Sequence, residues 1–148
     1  MLFRSDIAAL KAGLADGTID AVATDHAPHA PHTKEAPLDQ APPGMLGLET
    51  ALALTLGELG LPHRRVVEVL SINPARIAGA ADRHGRPVAV GEPANLAVWD
   101  PNAEWTVVPT ELASKSRNTP YAGRTVRGRV RHTVLAGQAV VVNGSATR

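Results

Sequence analysis

Val22-Ala-Thr-Asp-His-Ala-Pro-His29 begins as the end of an apolar run and finishes in an acid and two histidines. The segment from Ile19 to Ala23 has the length and composition of a buried strand, and polar chemistry starts where it stops, at Asp25, His26 and His29. In parallel α/β proteins the active site gathers at the carboxyl ends of strands, because loops converge there on one cavity while the strands hold them rigid. The pattern predicts an α/β chain with Asp25 as its leading functional residue.

Working upstream, Ser5 is placed to cap a helix from Asp6 to about Ala15, with Ile7, Leu10 and Leu14 at helical spacing and an acid in the first turn. Asp16-Gly17 ends it, so residues 5–24 read as the helix-then-strand half of a βα repeat. Downstream, Pro28, Pro31, Pro37, Pro42 and Pro43 forbid a regular helix between Asp25 and Gly44 and predict a long loop of restricted backbone freedom. Loops of that length at a strand end are usually functional.

A helix is expected from Leu46 to about Leu59, striped by Leu48, Leu52, Leu56 and Leu59 and stopped by Gly60-Leu61-Pro62. A short helix from about His63 to Leu70 follows, and Asn73-Pro74 opens a third to Ala78, with Asn73 as cap and Gly79 as stop. Beyond Gly85 the pattern changes. Asn95 to Trp99, Trp105 to Val108, Thr125 to Leu135 and Gln138 to Val142 read as strands, with a hairpin at Ala136-Gly137. The domain boundary falls near Gly85-Arg86-Pro87, giving residues 1–85 and 86–148.

Of the 148 residues, 44% are hydrophobic and 20% charged, which suits a globular chain with a real core. Aromatic residues make up only 3%, so that core must be Ala, Val, Leu and Ile. A formal charge of +1 gives no general attraction to nucleic acid or to a membrane surface. Arg124, Arg127, Arg129 and Arg131 are the local exception; three of them share a strand face, which reads as a solvated sheet surface because no stacking aromatics accompany it. Without cysteine there is neither a disulfide framework nor a thiolate metal site. No apolar run reaches the roughly 18 residues of a membrane span, and the N-terminus lacks a signal-peptide core. Cytoplasm is the default location.

The motif TDHAPH, the Pro-rich loop after it and PPGMLGLET together resemble the last barrel strand and following loop of the dihydroorotase family, within the amidohydrolase superfamily. LKAGLADGTID, SINPARIAG, ANLAVWDP and KSRNTPYAGRTVRGRV extend the resemblance over nearly the whole chain. It implies the C-terminal part of a metal-dependent hydrolase (β/α)8 TIM barrel over residues 1–85, with strands of a small β-sandwich-like subdomain over 86–148. A complete barrel takes about 250 residues. The family's remaining metal ligands, a His-x-His pair, a bridging carboxylate or carboxylated lysine and two further histidines, are expected upstream of Met1.

The same resemblance implies the chemistry: reversible hydrolysis of (S)-dihydroorotate to N-carbamoyl-L-aspartate in pyrimidine synthesis, at a binuclear zinc site. Read from the residues alone, Asp25 is either a turn cap or a metal ligand and general base. The resemblance implies the second, with Asp25 binding one metal and carrying the proton from the attacking water to the leaving nitrogen. It implies that His29 holds the substrate carboxylate, and that backbone groups of Pro43 and Gly44 meet the ring, Pro43 through its carbonyl only since it has no N–H. His26 is expected either to orient the loop or to brace a neighbouring ligand by donating a ring hydrogen bond. A self-contained metal site at His26, His29 and His32 is set aside, because histidines three apart converge only on a helix.

Two other readings remain. A hydantoinase or allantoinase would handle an uncharged ring and need no carboxylate-binding His29. A non-catalytic barrel could instead scaffold aspartate transcarbamoylase, and a homo-oligomer is compatible with either. The isolated 148 residues are expected to be inactive.

Overall fold

The computed structural model describes residues 3–147. Helix α1 runs from Arg4–Asp16. Its cap is Phe3 rather than Ser5, because the Asp6 carboxylate reaches back to accept the Phe3 N–H at 2.9 Å and draws the helix start forward. Only Leu14 of the expected stripe is buried; Ile7 and Leu10 remain 44% and 45% exposed, so α1 is held by its last turn alone.

The expected strand at Ile19 to Ala23 does not form, since no described strand lies alongside it to complete a ladder. The segment is instead held by Val22 N–H donating to Val69 at 3.0 Å and by Asn73 Nδ2 donating to the Asp20 carbonyl at 2.9 Å. Asn73 is therefore not a helix cap. The proline-rich loop contains one helical turn, α2 (Pro31–Lys34), which its prolines had seemed to forbid. Pro31 stands at the first helical position, where a missing N–H costs nothing.

Helix α3 is Ala51–Leu59, shorter than expected, with Leu48 left 62% exposed before it. Helix α4 (His63–Val67), a π-helical turn (Glu68–Ile72) and α5 (Asn73–Ile77) form one unbroken rod. The sequence suggests a break at Asn73-Pro74. A wider π turn accommodates the N–H that Pro74 lacks and the room its ring needs, so the rod continues.

The second half is a four-stranded antiparallel sheet in the order β1 (Leu96–Thr106), β2 (Thr125–Leu135), β3 (Gln138–Val142), β4 (Ser145–Ala146). The two strands expected across residues 95–108 are one, interrupted where Asp100 accepts the N–H groups of Asn102 and Ala103 in a side-chain-closed turn. The β2–β3 hairpin turns at Ala136 (φ 48°) and Gly137 (φ 81°), as a two-residue turn with both central residues at positive φ requires.

Leu14, Leu61, Val66 and Val69 make one buried cluster, joined by Ile19, Val22, Leu52, Leu56, Leu59 and Leu70. Ala53, Val107 and Val126 make a second, against Trp105 and Tyr121. Helix α3 feeds both, with Leu56 in the first and Ala53 in the second. The approach of β2 to α3 depends on Gly128 (φ 104°), where a Cβ would stand 2.4 Å from Leu56 Cδ1. The arginines of β2 point outward as expected. Arg127 and Arg131 pair with Glu104 and Asp100 at 3.0 and 3.4 Å, and Arg129 lies over the Trp105 ring.

Candidate functional site

Two loops meet at the end of the segment that runs from Ile19. The first carries Asp25 to His29, the second Pro42 to Gly47, and they touch through a parallel bridge between His26 and Met45. Ala27 N–H donates to the Met45 carbonyl at 2.9 Å. The His26 ring accepts at Nδ1 from the N–H groups of Gly47 and Leu48, at 3.0 and 3.3 Å. Of the two roles expected of it, His26 thus takes the first, fixing the loop, and does so by accepting at Nδ1.

His29, Pro43 and Gly44 come together. His29 Nε2 donates to the Pro43 carbonyl at 3.0 Å, and Gly44 (φ 123°) lies so close that a Cβ there would be 2.6 Å from Ala27 Cβ and 3.1 Å from His29 Nε2. Lys34 Nζ binds the carbonyls of Pro42 and Gly44 at 2.6 and 2.8 Å. Three successive carbonyls of the Pro-Pro-Gly turn are therefore pinned by side chains.

Asp25 sits before this contact with φ 45°, a left-handed conformation that costs most residues with a side chain about 1 kcal/mol and that aspartate adopts more readily than most. Its exposed carboxylate has no hydrogen-bond or ion-pair partner among the described residues. A metal needs several donors aimed at one point, and no group of three or more His, Asp or Glu side chains among the described residues provides that. His26 and His29 are engaged with backbone groups, and His32 lies in α2. These residues do not by themselves fit a metal pair.

Asn118 and Lys34 are the site residues that sequence reasoning missed. Asn118 lies in the stretch KSRNTPYAG, whose Asn-Thr-Pro is an ordinary turn signal, and its partners are 74 to 91 positions away. No local pattern could have paired them.

An aspartate in the left-handed region, a clamped histidine and a glycine-bearing turn thus share one loop junction of an α/β chain that ends in an antiparallel sheet. The chain belongs to the amidohydrolase family, whose model matches residues 1–140. Curated dihydroorotases are similar to it over nearly its whole length. That of Mycobacterium leprae is 52% identical over 138 residues, covering 90% of this chain and 32% of the relative; that of Streptomyces coelicolor is 50% identical over 146 residues, covering 96% and 34%. Among solved structures, the D-hydantoinase of a Thermus species matches with a TM-score of 0.83 at 26% identity, over 95% of this chain and 32% of that one. The L-hydantoinase of Arthrobacter aurescens matches with a TM-score of 0.82 at 27% identity, over 94% and 32%. The chain thus spans about a third of the length of its relatives. No helix among the described residues is long and apolar enough to cross a membrane.

Proposed function

We propose that this chain is the C-terminal third of a dihydroorotase: the closing part of a (β/α)8 barrel over residues 1–85, followed by part of a β-rich subdomain over 86–148. The reaction is the reversible hydrolysis of (S)-dihydroorotate to N-carbamoyl-L-aspartate, the cytoplasmic ring-forming step of pyrimidine synthesis run in reverse. The observation that carries the reading is the convergence of His29, Pro43 and Gly44 in the loop that Asp25 opens at a left-handed φ, its carboxylate exposed.

Hydrolysis forms a bond from water oxygen to the ring carbonyl carbon and breaks that carbon's bond to nitrogen. The Asp25 carboxylate takes the proton the water loses and delivers it to the departing nitrogen. His29 supplies an N–H to the substrate carboxylate, and the Pro43 carbonyl and Gly44 backbone line the ring. Because His29 and Pro43 are bonded to each other, substrate entry exchanges that one bond for contacts from both. Zinc is the metal implied by the resemblance, and its remaining ligands would come from outside these residues. The relatives at about half identity favour dihydroorotate over a hydantoin, and an imidazole at position 29 suits a carboxylated ring.

The test is to graft residues 1–148 in place of the matching third of the Mycobacterium leprae dihydroorotase and to compare dihydroorotate with dihydrouracil, its uncarboxylated counterpart. Dihydroorotate is the expected substrate, Asp25→Ala lowers kcat by roughly 10²–10⁴-fold, and His29→Ala abolishes the preference. Hydrolysis of dihydrouracil alone would move the chain to the hydantoinases. Full turnover in Asp25→Ala would remove its assigned role.

A further inference from the structure

Asn118 joins the two site loops with one side chain. Its Oδ1 accepts the His29 N–H at 3.2 Å, while its Nδ2 donates to the carbonyls of Ala27 and Gly44 at 2.9 and 3.3 Å. Its own carbonyl accepts the Leu46 N–H at 3.0 Å. The amide has only one workable orientation, since the reverse would set its oxygen against two carbonyls and its NH2 against an N–H. Every one of these bonds crosses from a third segment onto the site.

The segment that carries it is itself anchored. Glu49, just before α3, accepts the N–H groups of Ala113 and Ser114 at 2.9 and 3.1 Å, and the Arg117 guanidinium binds the carbonyls of Leu112 and Ser116 at 3.4 and 3.1 Å. Lys34 shapes the Pro-Pro-Gly turn from within the same loop, and makes no bond to the stretch from Asp25 to His29. Asn118 spans both.

Resting on the dihydroorotase reading, we propose that Asn118 is a positioning residue for substrate: it holds His29 and the Pro43-Gly44 backbone at the separation a carboxylated cyclic amide bridges. It acts through His29 and Gly44, not on the reacting atoms. Its loss therefore weakens binding while leaving the proton transfer at Asp25 in place.

Two substitutions in the grafted enzyme divide its roles. Asn118→Asp keeps the size and the acceptor for His29 N–H but turns a negative charge on the two carbonyls; Asn118→Ala removes all three side-chain bonds. Both are expected to raise KM for dihydroorotate about tenfold or more with kcat held within about threefold, as loss of ground-state binding contacts does. Amide exchange is read on the same samples: Ala27 and Leu46 should exchange about tenfold faster, with Val66 in α4 unchanged as the report of global folding. Unchanged KM in both variants, or a fall in kcat with KM unmoved, overturns the proposal. If the unsubstituted graft hydrolyses no dihydroorotate, the dihydroorotase reading fails instead. The exchange then decides the clasp, with unaltered Ala27 and Leu46 rates overturning it and faster rates supporting it.

Discussion

His29 Nε2 lies 3.0 Å from the Pro43 carbonyl oxygen, so the two groups for which we propose one ligand are bonded to each other. The bond is possible because Gly44, the residue after Pro43, has no side chain and the turn can press against Ala27 and the imidazole. A loop whose donor and acceptor pair off in this way avoids leaving either unsatisfied near the protein surface. On the proposed function, a ligand that replaced the contact would have to satisfy both.

Gly44→Ala is expected to break this arrangement. The new methyl would lie 2.6 Å from Ala27 Cβ, at a φ of 123° that side chains rarely adopt. Strain and overlap together should cost roughly 2 kcal/mol or more, a fall in Tm of several degrees for a chain of this size. Thermal denaturation checks it; a Tm equal to that of the parent would mean the loops part easily and the site is not preformed.

Arg65 makes a second testable staple. Its Nε and Nη2 donate to the carbonyls of Leu14 and Ile19 at 2.7 and 3.0 Å, and Nη1 pairs with Glu68 at 3.2 Å, so one fork ties the end of α1 to α4. Arg65→Met leaves two carbonyls unpaired at a side chain only 16% exposed, and should destabilise by about 2–3 kcal/mol. Arg65→Lys, with a single ammonium in place of the fork, should fall between. Urea unfolding of the three proteins measures the order.

What could be read in advance was set by local rules. The hairpin at Ala136-Gly137, the outward arginines of β2 and the stop at Gly79 follow from backbone freedom, strand alternation and helix ending within a few residues. The strand at residues 19–23 failed because a strand exists only against a neighbour, and composition cannot supply one. Asn73-Pro74 misled for a different reason: a π turn absorbed the proline, leaving the asparagine to brace Asp20. In the site, His29, Pro43 and Gly44 are marked by the family resemblance, since by residue type alone they read as a surface histidine and a turn, whereas Asn118 gains meaning only from partners far away in the chain.

Asp100 provides a pH-dependent check on the sheet. Its carboxylate is held below the ordinary aspartate range, chiefly by the Asn102 N–H and further by Arg131 and the Ala103 N–H. A carboxylate lowered on folding adds stability above its unfolded pKa, about 3.9, and that contribution is lost as pH falls through the lower folded value. Asp100→Asn retains an acceptor for the turn but not the charge. It should melt slightly below the parent at neutral pH, with the gap closing in strong acid. A gap independent of pH would assign the effect to geometry alone.

Asp25 offers one exposed carboxylate, the nearby histidines are engaged with backbone groups, and no cluster of three donors exists among the described residues. One carboxylate in water cannot hold zinc against solvent, because affinity comes from several ligands fixed around the ion. The purified 148-residue chain, loaded with zinc and dialysed, should therefore retain far less than one equivalent and hydrolyse no dihydroorotate. Asp25→Ala should leave both results unchanged in this chain while lowering kcat in the graft by roughly 10²–10⁴-fold. Metal analysis and a hydrolysis assay on the same samples check it: stoichiometric zinc with turnover that depends on Asp25 would mean these residues assemble a complete centre. Such a result would require His26 and His29 to leave their present partners and converge with Asp25 on one point. The amide exchange of Gly47 and Leu48, whose N–H groups His26 now accepts, would then rise when zinc is added.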